Sequence, residues 1–344
     1  MKKAVLASAV FAAMVSGSAL AAEVYNADGT TLKIGGRAEF RGDFIGSKGV
    51  EIPGSMENNS RFRINVGGET QITDGLTGFG FYEAEQGVTS SGDNSATTSL
   101  KQRYMYAGIG TQFGDFSFGK QDTAGVQISQ MSDDGQIWTG DQKKFIAAGD
   151  EQVNNTIAYS NVFADAFSLK ASVIASDEKN ENGYGISGIY ATPFGLDIGL
   201  GYAQNDFRDL DNGGNVVDTG TADQFIGGIS YSIASLTLGG TYTQGTYKFD
   251  NSLNEDFSGV ELSGTYKFDN GFRIMAAYAK QELKPESGDK EVLNDFVELT
   301  GQYHFNKSLR TYLSYKIDNR KAEYVDNNGN AADDTLRLGL RYDF

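Results

Sequence analysis

Residue types that carry enzymatic chemistry are scarce in this chain of 344 residues. It has one histidine, His304, and no cysteine, so disulfides, thiolate metal sites and a cysteine nucleophile are excluded. His304 stands beside the predicted turn Asn306-Lys307-Ser308, and no Gly-x-Ser-x-Gly motif occurs. Carboxylate pairs such as Glu83 and Glu85 are common on polar surfaces and are weak evidence for acid-base catalysis. We therefore expect no enzyme, no cofactor and no bound metal.

Charge and the first residues limit the partners and the compartment. The chain carries 29 Lys and Arg against 45 Asp and Glu, a formal net charge of −16, which argues against a nucleic-acid partner. Residues 1–21 combine Lys2 and Lys3 with a short apolar run and the small residues Ala19-Leu20-Ala21, which is typical of a secretory signal peptide. The apolar run is too short for a spanning helix, which needs roughly 20 residues. We expect cleavage after Ala21 and a single domain over residues 22–344.

Composition and periodicity favour an all-β protein. The chain has 44 Gly, 3 Pro, 22 Phe and 18 Tyr, which suits many short strands separated by turns. Runs with period-two alternation recur along the mature chain and predict sixteen strands. Their predicted first residues are Thr31, Arg61, Leu76, Leu100, Phe116, Asn155, Phe167, Tyr184, Leu196, Gln224, Leu236, Gly259, Phe272, Phe296, Leu309 and Thr335.

The faces of these strands and the lengths of their connections favour a barrel in a membrane. In the first strand, Leu32 and Phe40 share an apolar face, whereas Arg37 and Glu39 share a charged one. Short turns such as 73–75, 192–195 and 268–271 alternate with long polar loops such as 206–223 and 319–334. This asymmetry is typical of outer-membrane barrels, with short turns on the periplasmic side and long loops outside. The sequence predicts a 16-stranded antiparallel transmembrane β-barrel around an aqueous lumen.

Several motifs make a family resemblance specific. They are Ala22-Glu23-Val24-Tyr25-Asn26 with Asp28-Gly29, then Gly67-Gly68-Glu69-Thr70-Gln71-Ile72, Leu76-Thr77-Gly78-Phe79-Gly80, Phe113-Gly114-Asp115-Phe116-Ser117-Phe118-Gly119 and the terminal Phe344. Together they resemble the Gram-negative general porins of the enterobacterial and Vibrio type over essentially the whole mature chain. The resemblance implies a homotrimer in the outer membrane, in contact with lipid and lipopolysaccharide, that passes small hydrophilic solutes and ions.

The resemblance also implies a constriction. In that family the third outer loop folds into the barrel, and its acidic residues face basic residues on the wall. The matching loop here is residues 121–153. The basic wall falls on Arg37, Arg61, Arg63 and Arg103, and Glu83 and Glu85 are additional acids of the lumen.

The acidic side of the constriction is less directly matched. The family's Pro-Glu-Phe-Gly-Gly run is absent from this loop, and a further basic position near the loop's end is Gln152. Asp133, Asp134 and Asp141 are the nearest acidic candidates. Because the chain is acidic overall and Glu83 and Glu85 are predicted on the lumen side, cations should be enriched at the mouth, and we expect weak cation selectivity.

Other interpretations remain open at this stage. The arginines could simply solvate a polar lumen, and Asp133 and Asp134 could be ordinary solvated loop charges. A substrate-specific channel would need an aromatic track along the lumen, and the outer loops could serve as an adhesin or receptor. For the trimer, the expectation rests on seven glycines predicted to face outward from the first four strands: Gly36, Gly42, Gly68, Gly78, Gly80, Gly108 and Gly110.

Overall fold

The computed structural model describes residues 21–88, 100–133, 137–211, 213–320, 325 and 331–344. The predicted signal peptide, apart from Ala21, and the predicted site residue Asp134 lie outside the described residues. Sixteen antiparallel strands form the wall of a barrel. They are β1 (Thr30–Asp43), β2 (Arg61–Thr73), β3 (Leu76–Gly87), β4 (Lys101–Thr111), β5 (Gly114–Gln121), β6 (Val153–Phe163), β7 (Phe167–Ile174), β8 (Gly183–Ala191), β9 (Leu196–Leu210), β10 (Val216–Ile233), β11 (Leu236–Phe249), β12 (Glu255–Lys267), β13 (Phe272–Pro285), β14 (Glu291–His304), β15 (Leu309–Asp318) and β16 (Thr335–Asp343).

The barrel closes between its first and last strands. Each strand pairs with the next, and β16 returns to β1 with Arg37 opposite Asp343. A short strand, Ala22–Ala27, also pairs with β1 and continues the line of β16, with Ala22 opposite Ile34. Phe344 bridges the two segments by exchanging backbone hydrogen bonds with Gly36. Closure gives each wall strand a neighbour on both sides, as a bilayer requires because lipid cannot satisfy free backbone groups.

The two faces of the wall differ in polarity, as the alternation predicts. Phe40 is 39% exposed on the outside of β1, whereas its neighbour Glu39 is 5% exposed on the lumen side. On β14 the outward Leu299 is 52% exposed and the inward Glu298 is fully buried. Apolar side chains thus form the outer surface and polar ones line the lumen, the reverse of a soluble barrel.

The prediction of the strands is confirmed for their number, and thirteen starts lie within two residues of the predicted ones. The starts predicted at Gly259, Phe296 and Gln224 are late by four, five and eight residues. The predicted loop 206–223 is wrong, because β9 continues to Leu210 and β10 begins at Val216. These strand ends carry polar residues on both faces, so they pair in the ladder without any hydrophobic alternation to reveal them.

A β-bulge in β4 corrects another expectation. Glu83 pairs with Tyr104 and Ala84 with Gln102, so Arg103 is an extra residue in β4. Arg103 and Tyr104 consequently both reach the lumen, and the alternation of the rest of β4 reverses. Met105 therefore faces outward, while Gly108 lies under the lumen ring of Phe79. The predicted outward orientation of Gly108 and Gly110 is wrong for this reason.

The third outer connection folds into the barrel, as predicted. Its described residues include one helical turn, α1 (Val126–Ser129), and two 3-10 turns at Gln130–Ser132 and Ala147–Gly149. Ile128, Phe145 and Ile146 of this loop are buried against the wall. No helix in the described part of the chain has the length and apolarity needed to cross a bilayer.

Candidate functional site: a charged wall facing an inserted loop

One network of ion pairs covers the lumen face of β1 to β4. It contains all four predicted arginines, both predicted lumen acids and one further acid: Arg37, Arg61, Arg63, Arg103, Glu83, Glu85 and Glu39. The strand register brings them together, because Arg37 lies opposite Arg63 and Glu39 lies opposite Arg61. Arg63 in turn lies opposite Glu85. Apart from Arg37 opposite Arg63, acids on one strand therefore face bases on the next.

Within the network, three arginines have close partners and one does not. Arg61 Nε lies 2.7 Å from a carboxylate oxygen of Glu39. Arg63 lies 2.5 Å from Glu85 and 3.3 Å from Glu83. Arg103 reaches Glu83 at 2.8 Å because the bulge turns it into the lumen.

Arg37 is the loosely held member. Its nearest carboxylate oxygens, on Glu39 and Glu85, are 3.9 and 4.0 Å away, and its buried Nε has no hydrogen-bond partner in the described residues. The sequence pattern predicts Glu83 and Glu85 as lumen acids without pairing them with the arginines, and it does not single out Glu39. The geometry instead makes all three acids counter-ions of the arginines.

Asp133 and Asp141, the two predicted loop acids among the described residues, have partners within the loop. Asp133 accepts a hydrogen bond of 3.1 Å from the Thr139 hydroxyl, and Asp141 pairs with Lys144 at 2.6 Å. Burial raises the pKa of Asp133 above its usual range, although the charge of Lys143 acts in the opposite direction. Neither acid is paired with an arginine of the wall. Lys143 and Lys144 are charges of the loop that the sequence analysis left out.

Two buried carboxylates of the wall hold the loop in place. Glu298 of β14 accepts hydrogen bonds from the backbone N–H groups of Ile137 and Trp138 at 2.9 and 3.1 Å. Glu261 of β12 accepts from the Gly140 N–H at 2.9 Å and from the Ser132 hydroxyl at 2.6 Å. A carboxylate that accepts several such bonds substitutes for water in a buried site. Sequence reasoning missed both, since in the sequence they look like any other alternating lumen acid.

Apolar packing and small wall residues also hold the loop against the wall. Phe145 stacks on Phe257 of β12 with ring centroids 4.5 Å apart. Ile128 and Met131 lie over Gly199 of β9, where a Cβ atom would come within 2.7 Å of either side chain. Glycine at this lumen position therefore allows the loop to approach the wall closely.

The loop lies against the part of the wall that the ion pairs do not occupy. At its start Asp122 accepts from the Tyr104 hydroxyl of β4. From there the loop contacts strands from β7, where Ser172 accepts from the Ala124 N–H, to β14 at Glu298. At its far end, the Trp138 ring lies 4.9 Å from the guanidinium carbon of Arg337 on β16. The arginine network on β1 to β4 and the loop on β7 to β14 thus occupy opposite arcs of the lumen.

The single histidine lies where the sequence analysis expected it. His304 ends β14 beside a short turn, and its Nε2 is 2.6 Å from Oε1 of Gln302. In the described residues no group of His, Cys, Asp and Glu side chains could hold a metal ion.

A closed sixteen-stranded barrel with an apolar exterior, a charged lumen and a loop folded into that lumen defines an outer-membrane channel. The chain belongs to the Gram-negative porin family, whose model matches residues 7–323. It is therefore a passive diffusion porin of the outer membrane and not an enzyme, as the sequence predicts.

Several known proteins are similar to this chain over its full length. Porin-like protein L of Photobacterium profundum is 34% identical, outer membrane protein U of Vibrio vulnificus 32% and outer membrane porin F of Escherichia coli 29%, each with 100% of both chains covered. Among solved structures, Salmonella typhi OmpF in complex with daunomycin has a TM-score of 0.75 at 19% identity, covering 94% of this chain and 100% of that one. The trimer form of Vibrio cholerae OmpT has a TM-score of 0.71 at 21% identity, covering 92% and 100%. The structural matches support the fold.

Proposed function

We propose that this pore is a general one for small hydrophilic solutes and ions, with a weak preference for cations. The observation that carries the proposal is the ion-pair network, whose four arginines and three glutamates leave one positive charge in excess. Across the lumen, the loop sequence 121–153 has six acidic residues and two lysines, a net charge of −4. Because the negative side outweighs the positive side, cations are enriched in the gap.

The same arrangement supports a filter for polarity. In this proposal Arg37, Arg61, Arg63 and Arg103 are the positive side. The loop acids Asp133 and Asp141 are the negative side, and Asp134 is assigned to it from the sequence alone. Opposed charges in a narrow, poorly screened space orient water and dipolar solutes. An apolar solute must displace that oriented water without replacing its interactions, so it enters less readily than a polar solute of the same size.

Liposome swelling tests the passage of small hydrophilic solutes, and the reversal potential in a salt gradient tests the cation preference. Neutral sugars of increasing size should enter at rates that fall smoothly with size and do not saturate with concentration. The reversal potential in a KCl gradient should have the sign of a cation-preferring pore, and D133N with D141N should move it toward zero. Saturable uptake of one sugar, or an anion-preferring reversal potential in the wild type, would contradict the proposal.

Aromatic residues in the lumen bear on the alternative of a substrate-specific channel. Phe207, Tyr247 and Phe249 form a group at the outer ends of β9 and β11, with ring centroids 5.1 to 5.8 Å apart. Tyr247 also packs on Phe257 at 5.0 Å and donates a hydrogen bond to the Phe145 carbonyl of the loop. These contacts suit rings that secure the loop, and they favour the general pore over a sugar-binding track.

A homotrimer is part of the proposal. Gly68, Gly78 and Gly80 face outward, and a Cβ atom at any of them would meet no atom closer than 3.4 Å. A smooth outer wall on β2 and β3 permits close contact with a second copy. Gly36 and Gly42 contribute less, because rings of Phe344, Phe40 and Phe44 already fill the space beside them. Native gels of unheated, detergent-extracted protein should give a trimer, and a monomer alone would count against it.

Lipopolysaccharide is the proposed partner at the outer rim. Lys284 and Lys290 line a shallow cavity on the outer surface together with Tyr242, Gln244 and three acids, Asp223, Asp256 and Glu282, of which Glu282 pairs with Lys290. Cationic side chains above an aromatic ring suit phosphate groups above acyl chains. Added lipopolysaccharide should raise the melting temperature of the wild-type trimer and raise it less for K284Q with K290Q. The loop variant K179Q is the control. If lipopolysaccharide raised the melting temperature of the wild type, the double variant and K179Q equally, the proposed lipopolysaccharide site would be excluded.

A further inference from the structure

Arg41 is a lumen cation that the ion-pair network leaves out. It lies on the inward face of β1, two residues beyond Glu39 toward the outer end of the strand. In the described residues its guanidinium forms no ion pair or hydrogen bond, and its Nε is buried without a partner. A buried N–H of a guanidinium without an acceptor is costly unless a ligand compensates, and the rest of Arg41 is partly exposed to the lumen.

The carboxylates that flank Arg41 on the same strand are already occupied. Glu39 accepts from Arg61 at 2.7 Å and from the Tyr312 hydroxyl at 2.9 Å. Asp43 is held by both arms of Arg337, at 2.6 and 2.7 Å.

No side chain of β16 competes for Arg41 at its own level, and on the other side of β1 the Ser60 hydroxyl accepts from the Arg41 backbone N–H. The residue opposite it on β16 is Gly339. The ring of Tyr312 fills the space beside this glycine, and the Tyr312 hydroxyl is used by Glu39. The positive charge of Arg41 therefore remains available to a solute in the lumen.

We propose that Arg41 forms an oxyanion subsite on the outer approach to the constriction, which takes the carboxylate or phosphate group of small solutes. The inference rests on the proposed function, since a solute must first enter the pore. Arg41 is four residues from Arg37 along β1, roughly 13 Å at the rise of a strand. A dipolar solute arriving from outside meets Arg41 first, with its anionic group on the guanidinium and its cationic group toward the acidic loop. The subsite moderates the cation preference by giving anionic groups a place to bind.

Inorganic phosphate is the probe for this subsite. Phosphate added to the outer side of a wild-type channel in symmetrical KCl should reduce the current saturably. R41Q should raise the half-saturating phosphate concentration about tenfold, the loss expected for one charge-assisted interaction. R41K, which keeps the charge but not the forked donors, should give an intermediate value. R41Q removes a charge without a partner, so trimer yield should stay unchanged.

R273Q is the matched control, because Arg273 also belongs to the lumen side of β13 but at its periplasmic end, opposite Gln302. The half-saturating phosphate concentration of R273Q should stay within about twofold of the wild type, since binding contacts act over short distances. An unchanged value for R41Q, or equal changes for R41Q and R273Q, overturns the subsite. The reversal potential in a KCl gradient, measured in the same channels, reports the proposed cation preference separately, so either proposal can fail while the other stands.

Discussion

The two arcs of the lumen are built from different kinds of contact. On β1 to β4, acids and bases sit on rigid strands and pair with neighbours one strand away, as Arg61 does with Glu39. On β7 to β14, the charges belong to a loop whose position depends on distant wall residues such as Glu261 and Glu298. We expect the first arc to tolerate a change of charge without a change of shape, and the second to set the width of the pore. Selectivity and size cutoff should therefore respond to different mutations.

Deleting residues 130–139 should have the largest effect on the pore. The deletion removes Ser132, which bonds to Glu261, and the two N–H groups that bond to Glu298, while the ladder of the barrel stays intact. Single-channel conductance should rise by about twofold, and larger solutes should enter, because the obstruction is lost. A folded trimer with wild-type conductance and solute cutoff would show that the loop does not narrow the pore.

Weakening one anchor should give a smaller effect of the same sign. E298Q keeps the volume of the side chain but exchanges one acceptor oxygen for a donor that faces the N–H groups of Ile137 and Trp138. The local cost is about 1–3 kcal/mol, so the loop should detach intermittently. Recordings should show frequent steps to a higher conductance. E291Q, the same change at an exposed residue of β14, should behave like the wild type.

Lowering the pH should produce the smallest effect, and it should act on the loop side. Burial raises the pKa of Asp150 to about 6 and also raises the pKa of Asp133. These carboxyls therefore lose their negative charge at a higher pH than an ordinary aspartate does. Cation preference should decline between pH 7.5 and pH 5, and D150N should show a smaller decline. An identical pH dependence in D150N would exclude Asp150 as a contributor.

Sequence alone predicts the strand arc better than the loop arc, for physical reasons. Period-two alternation assigns Arg37, Arg61 and Arg63 to the lumen, because a regular strand fixes the side of every residue. Only a pairing register could reveal that Glu39, Glu83 and Glu85 are their counter-ions. The bulge at Arg103 reverses the alternation of β4 and has no signal in the sequence.

The loop arc lacks such a rule. Its length and apolar residues predict insertion into the barrel, and the burial of Ile128 and Phe145 confirms it. The partners of its backbone lie on strands far along the chain, so Glu261 and Glu298 could not be recognised as anchors. The filter roles of Asp133, Asp134 and Asp141 stay predictions.

Opposite changes of charge within the ion-pair network test most directly whether the wall of β1 to β4 sets the selectivity of the pore. We expect R61Q with R63Q to leave the wall net negative and to shift the reversal potential in a KCl gradient toward stronger cation preference. E83Q with E85Q removes the counter-ions of the same arginines and should shift it in the opposite direction, with conductance and trimer formation close to the wild type in both. Unchanged reversal potentials in both double variants, or shifts of the same sign, would contradict the account that this wall sets the selectivity of the pore.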